Sequence, residues 1–125
     1  MNNTHKNSIT KTASAAISQG VIVKLGSDSS FVASCSATDA NAIGITLDSA
    51  AQNDNVAVAL LGIANHTVQA VASGAISAGA KAYLAANGKI AASGTIYVGI
   101  ALTAASADGD LVELVHCAPI DETTE

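Results

Sequence analysis

Apolar residues alternate over short runs along most of this 125-residue chain. "VIVKL" (21–25) sets Val21, Val23 and Leu25 on one side of an extended segment. "AIGITL" (42–47) does so with Ile43, Ile45 and Leu47, and "NVAVAL" (55–60) with Val56, Val58 and Leu60. "IYVGIAL" (96–102) repeats the arrangement with Ile96, Val98, Ile100 and Leu102. Successive side chains of a strand point to opposite faces, so this spacing predicts short strands with one buried face. "LVELVHC" (111–117) is rich in strand formers but ambiguous in phase. The Ala-rich stretch 75–86 has helix propensity, yet Gly recurs every few positions and "GA", "NG", "SG" and "DG" pairs punctuate the runs. "NGK" (87–89), between "KAYLA" and "KIAA", is the strongest hairpin signal. The pattern predicts a mainly β domain with at most one or two short helices. Its expected core is Val21, Val23, Leu25, Ile43, Ile45, Leu47, Val56, Val58, Val98, Ile100 and Leu102.

The chain also repeats itself. "ASAAISQGVIVKL" (13–25) returns fifty-nine residues later as "ASGAISAGAKAYL" (72–84), with seven of thirteen positions identical. "AIGITLDSAAQNDNVAVAL" (42–60) has its counterpart in "YVGIALTAASADGDLVELV" (97–115), where Gly44 and Gly99 lie fifty-five apart. The first copy therefore has the longer loop, around "SCSATDANA" (34–42). Gly20 and Gly79 permit the turn into the strand of each copy. One half-module of about forty residues cannot bury its own face, and two together close a small barrel or sandwich. The expected organisation is a flexible N-terminal arm (1–12), one β domain (13–119) with half-repeats at about 13–60 and 72–115, and an acidic tail (120–125).

Composition narrows the function. Twenty-seven residues are Ala, with two Tyr, one Phe and no Trp, so the core is built from small aliphatic side chains. Such a core suits thin packed sheets and subunit contacts better than a deep aromatic pocket. The net charge is −5 and all five cations are Lys. Without Arg and nearly without aromatics, the chain lacks both phosphate neutralisation and base stacking, which argues against nucleic acid. Two cysteines, Cys35 and Cys117, are too few for a disulfide scaffold. "MNNTHKNSITKT" has no apolar core of a signal peptide, and the longest apolar run, "VAVALLGIA" (56–64), is too short to span a membrane. The expectation is a soluble protein made in the cytosol with reduced thiols.

The chain resembles phage head decoration (capsid cement) proteins. The resemblance lies in "ISQGVIVKLGSDSSFVAS", "ATDANAIGITLDSAAQNDNVAVALLG", "TVQAVASGAISAGAKAYLAANGKIA" and "VGIALTAASADGDLVELV", covering roughly residues 9–117. The "AIGITLDSA…VAVALLG" segment is similar to the centre of lambda-type decoration proteins, which implies a β-tulip-like fold. Lambda-type members carry a Pro-rich arm, whereas residues 1–12 here contain no Pro. The resemblance implies a homotrimer seated on the expanded capsid, clamping neighbouring copies of the major capsid protein. It implies no catalysis, cofactor, membrane or small-molecule substrate. It places the protein on the virion capsid surface after synthesis in the host cytoplasm. The expected capsid-contact residues are Asn3, Thr4, His5, Lys6, Ile9 and Lys11, in an arm that orders by adding a strand to a sheet edge.

Reactive chemistry is sparse. His116 and Cys117 are adjacent and so point to opposite faces of a strand. A zinc site would need further ligands from Cys35, His5, His66 or the acids, and no C-x-x-C or H-x-x-x-H spacing exists. "DANA" (39–42) and "QNDN" (52–55) lack the Gly and closing Glu of a calcium loop. Asp48, Asp54, Asp108 and Asp110 fit turn residues that bond their own backbone. No G-x-S-x-G, G-x-x-x-x-G-K or G-x-G-x-x-G motif is present. Two function classes follow: a structural decoration protein, and, as the alternative, a β module of a tail fibre or surface adhesin that recognises a glycan or receptor. The second needs exposed aromatics, and only Phe31, Tyr83 and Tyr97 could supply them.

Overall fold

The computed structural model describes residues 8–26, 28, 30–39, 41–63 and 67–121. The first half contributes strands β1 (Ser8–Ala13), β2 (Ile22–Leu25), β3 (Phe31–Ser34), β4 (Gly44–Thr46) and β5 (Asn55–Leu60). The second contributes β6 (Val68–Val71), β7 (Lys81–Leu84), β8 (Ile90–Ala91), β9 (Ile96–Ala101) and β10 (Leu111–Asp121). A 3₁₀ turn at Ala86–Gly88 is the one helical piece among the described residues. Asn87 and Gly88 there have φ of 62° and 74°. Two successive residues at positive φ suit the right-handed twist of a tight hairpin, so "NG" does join β7 to β8 as the sequence predicts.

The first half closes into a barrel in the order β1-β3-β2-β4-β5. β1 closes it twice over, antiparallel to β5 from Ser8↔Ala59 to Thr12↔Asn55 and parallel to β3 at Thr12↔Phe31 and Ala13↔Val32. The second half repeats this neighbour order as β6-β10-β9-β7-β8. Its parallel closure shrinks to the single bridge Ala72↔Ile90, leaving a curled sheet. The edge of that sheet meets the first half instead, where the Val71 amide donates to the Gly20 carbonyl at 3.2 Å.

The repeated phrase now has a structural reason. It carries the chain across the connection between the fourth and fifth strands of each half. The Ala13 and Ala72 amides donate to the Asp54 and Asp110 carbonyls, Ile17 bridges Ala50 as Ile76 bridges Ala105, and the Gly20 and Gly79 amides donate to the Thr46 and Ala101 carbonyls. Both glycines take the left-handed conformation, at φ +82° and +85°, which a side chain disfavours.

Two buried clusters hold the molecule together. Ala13, Ile17, Val21, Val23, Val32, Val56 and Val58 fill the barrel. The other cluster joins the inner face of the second sheet, including Leu84, Ile90, Ile96, Val98 and Leu114, to Ile22, Ile45, Ala59 and Leu61 of the first half. Strand β2 therefore buries both faces, Val23 into the barrel and Ile22 against the second sheet. Thr46 is the one buried polar side chain among the described residues. It is satisfied, because Oγ1 accepts from the Val21 amide at 3.0 Å and donates to the Ser18 carbonyl at 2.8 Å.

Several expectations fail for identifiable reasons. Leu25, Leu47 and Leu102 are exposed. Leu25 is the last residue of β2, and Leu47 and Leu102 lie just past β4 and β9. Ile43 and Ile100 are only partly buried. A bulge in β9 opposite Ala82 and Tyr83 changes its phase, so Val98 and Ala101 face inward while Ile100 faces out. The flexible arm expected over 1–12 fails at Ser8, where β1 begins, and residues 1–7 lie outside the described residues. The acidic tail expected from 120 starts later, because Ile120 and Asp121 pair with Tyr97 and Ile96; residues 122–125 lie outside the described residues. The half-repeats likewise begin with β1 and β6, before the repeated phrase.

Candidate interaction surfaces

Of the expected contact residues, Asn3, Thr4, His5 and Lys6 lie outside the described residues. Ile9 and Lys11 lie in β1, paired with Val58 and Val56. The Ile9 side chain packs against the barrel cluster, so Ile9 is part of the barrel wall rather than an apolar anchor on an arm. The weak alternation of "SITKT" hid this strand, because backbone pairing on both sides, not an apolar stripe, holds it.

The exposed carboxylates mostly serve turns. Asp110 Oδ2 accepts from the Ser106 amide at 2.9 Å, the Ser106 hydroxyl and the Ala107 amide. These bonds hold its carboxyl below the usual value. Asp28 is lowered in the same way by the Ser30 hydroxyl and amide. Asp39 pairs with Lys24 at 2.8 Å and caps the Ser36 amide, which lowers the carboxyl and raises the ammonium. Lys89 pairs with Asp108 at 2.8 Å.

Nothing among the described residues gathers into a reactive centre. No group of three or more His, Cys, Asp or Glu is placed to hold a metal among them. His66 and His5 lie outside the described residues. His116 Nδ1 accepts from the Gly62 amide at 2.9 Å. Cys35 is buried, and desolvation, reinforced by Asp39, pushes its thiol up to about 12. Cys117 is partly exposed, and burial also raises its thiol. An open cleft of about 500 Å³ lies between the halves, bordered by Ile17, Val21, Val71, Asn87 and the ion-paired Lys89. No described helix is long and apolar enough to cross a membrane.

The most developed surface is the outer face of the second sheet. Along β10, Val112 and Leu114 are buried while Leu111, Glu113 and Val115 are exposed. Val115 pairs with Ile100, Ile100 with Lys81, and Ile120 with Tyr97. The Tyr83 and Tyr97 rings stand 5.9 Å apart, tilted by 56°, and Lys81 Nζ lies 5.3 Å from the Tyr97 centroid. Leu102, Leu111, Val115 and Ile120, each more than 40% exposed, belong to this sheet or the turn beside it. The bulge in β9 sets which of its residues join this face, and that phase change is not visible in the sequence.

Three comparisons bear on what such a protein does. No curated protein matches the chain. Among solved structures, the N base of the head fibre protein gp8.5 of bacteriophage phi29 is similar at a TM-score of 0.69, with 17% identity, over 87% of this chain and 92% of that one. That likeness is one of fold. The family model of phage cement proteins matches residues 2–116. Nearly the whole chain is covered by that match, and the protein belongs to the phage cement protein family, the capsid-associated structural proteins of the virion.

Proposed function

We propose that this protein binds the outer surface of the expanded phage capsid as a homotrimer and stabilises the shell by clamping neighbouring copies of the major capsid protein, without catalysis or a cofactor. The observation that carries this reading is the cement-family match over residues 2–116. The architecture supports it, since the described residues offer apolar and acidic surface around a closed core rather than a reactive pocket. The mechanism is multivalent. Each protomer makes a weak contact, and tethering three in one particle raises the effective concentration of the second and third. Selectivity for the expanded lattice requires a site that only this lattice presents, because a ligand shifts only states it distinguishes. The segment 1–7, with Asn3, Thr4, His5 and Lys6, is proposed as the part that reaches the shell. The protein is made in the host cytoplasm and acts on the virion.

Co-sedimentation with filled heads and with unexpanded proheads of the cognate phage tests this. Binding to heads, weak binding to proheads and a higher melting temperature of decorated heads are expected. Equal binding to both shells, or binding without added heat resistance, overturns the proposal.

A further inference from the structure

The turn between β7 and β8 carries a reactive pair of residues. Asn87–Gly88 is the one Asn-Gly step in the chain. Glycine has no side chain to shield its backbone nitrogen, which leaves that nitrogen open to the side chain of the preceding asparagine. Asn87 is exposed and borders the open cleft between the halves, so water reaches its side-chain amide. Loss of that amide needs no oxidant and no cofactor. The Gly88 nitrogen attacks Asn87 Cγ, an N–Cγ bond forms, the Cγ–Nδ2 bond breaks, and the proton of the attacking nitrogen leaves with the amide as ammonia. One water then opens the cyclic imide. Opening at the side-chain carbonyl gives Asp. Opening at the main-chain carbonyl gives isoaspartate, whose backbone runs through the former side chain and is one atom longer.

The folded turn holds this reaction back. Asn87 has φ 62° and ψ 27°. At this ψ the Gly88 nitrogen stands on the far side of the Cα–C bond from the Asn87 side chain, turned away from Cγ. Bringing them together means rotating the peptide plane between the two residues. The hairpin resists that rotation, because the Lys89 amide donates to the Ala86 carbonyl at 3.3 Å and the Ala85 amide to the Lys89 carbonyl at 2.7 Å. Gly88 is also buried against β2, where a Cβ would lie 2.5 Å from the Ile22 carbonyl oxygen and 2.6 Å from Val21 Cγ1. The reaction therefore waits for local opening of the hairpin, as amide exchange does.

The same tight fit gives the product a consequence. An added backbone atom at position 87 drives Gly88 into β2 or shifts Ile90 out of register with Leu84. Leu84 and Ile90 belong to the buried cluster that joins the two halves. We infer that Asn87 is a deamidation site, gated by opening of the β7–β8 hairpin, whose isoaspartyl product loosens the contact between the halves. The change is one-way and needs no partner.

The test is incubation of the full chain at mildly alkaline pH, with conversion at each asparagine followed by peptide mapping and isoaspartate counted by enzymatic methylation. The same chain in concentrated urea, Asn87→Gly and Asn87→Asp are the comparisons. Asn87 should convert ahead of the other asparagines in the native chain, and about tenfold or more slowly than in urea. Asn87→Gly should show no conversion at this turn and keep the urea midpoint, since glycine accepts the positive φ. The isoaspartyl fraction, separated by ion exchange, should unfold at a lower urea midpoint than Asn87→Asp, which has the same charge but no added backbone atom. No conversion of Asn87 in the native chain over the time in which the unfolded chain converts overturns the site. Equal rates in the native and unfolded chains overturn the gating, and an isoaspartyl fraction as stable as Asn87→Asp overturns the loosening.

Discussion

At the scale of single residues, the two repeated glycines separate backbone strain from packing. Gly20 and Gly79 share nearly the same φ, so an Ala at either costs about 1–2 kcal/mol of left-handed strain. A Cβ on Gly79 meets open space, but one on Gly20 would lie 2.8 Å from the Gln69 carbonyl oxygen, across the junction between halves. Gly20→Ala should therefore destabilise more than Gly79→Ala by about 1–3 kcal/mol, read from urea midpoints. Equal losses would show that the junction yields. The carboxylates give a pH effect of definite sign. Asp28 and Asp110 are lowered by their turn bonds, and Asp39 by its ion pair with Lys24 and then by the Ser36 amide, so the unfolded chain takes up protons first on acidification. Their stabilisation is complete above about pH 4, the unfolded value, and is lost as pH falls through the lower folded values. Urea midpoints between pH 5 and pH 3 should fall, and less steeply in Asp110→Asn. The thiols should differ as well. Cys117 should react with an alkylating reagent in the native state, whereas buried Cys35 should react only as fast as the protein opens.

At the scale of elements, β1 decides whether the barrel exists. Its ladder to β5 begins at Ser8↔Ala59, so deleting residues 2–7 removes none of the described pairing. That deletion should change stability by less than about 0.5 kcal/mol. Extending the deletion to residue 12 removes five pairs with β5 and opens the edges of β3 and β5. Each lost backbone bond counts about 0.5–1.5 kcal/mol, against a total stability of about 5–15 kcal/mol for a domain. The longer deletion should therefore abolish or severely lower the melting transition seen by circular dichroism. If both truncations melt alike, β1 is dispensable and the barrel closes without it. Comparing both with heads also separates capsid contact by residues 2–7 from the structural role of β1.

At the scale of the whole molecule, the two halves form one cooperative unit. Ile22, Ile45, Ala59 and Leu61 of the first half share a buried cluster with the inner face of the second sheet. Separated halves would expose this cluster to water, and a five-stranded curled sheet without its cover lacks a core. Calorimetry should show a single transition whose van't Hoff and calorimetric enthalpies agree, and neither half should fold alone. Two resolved transitions would mean that the halves are separate domains.

Much of this was legible from local pattern. Alternation in "VIVKL" and "NVAVAL", the "NG" turn and the glycine-bearing repeat specify strand content, a hairpin and two modules of one topology, because pleat, turn geometry and φ preference are local properties. They do not say which module closes. That depended on β1, whose pairing is carried by backbone groups common to every residue and so leaves little trace in "SITKTA". Nor do they say which side of a strand is free. Ile45 and Ile100 look alike in sequence, yet one is fully buried and the other only partly buried. The difference arises because the first module has a neighbour in its own chain on that side and the second does not, and packing between distant segments is set by the assembled surface rather than by any local run of residues.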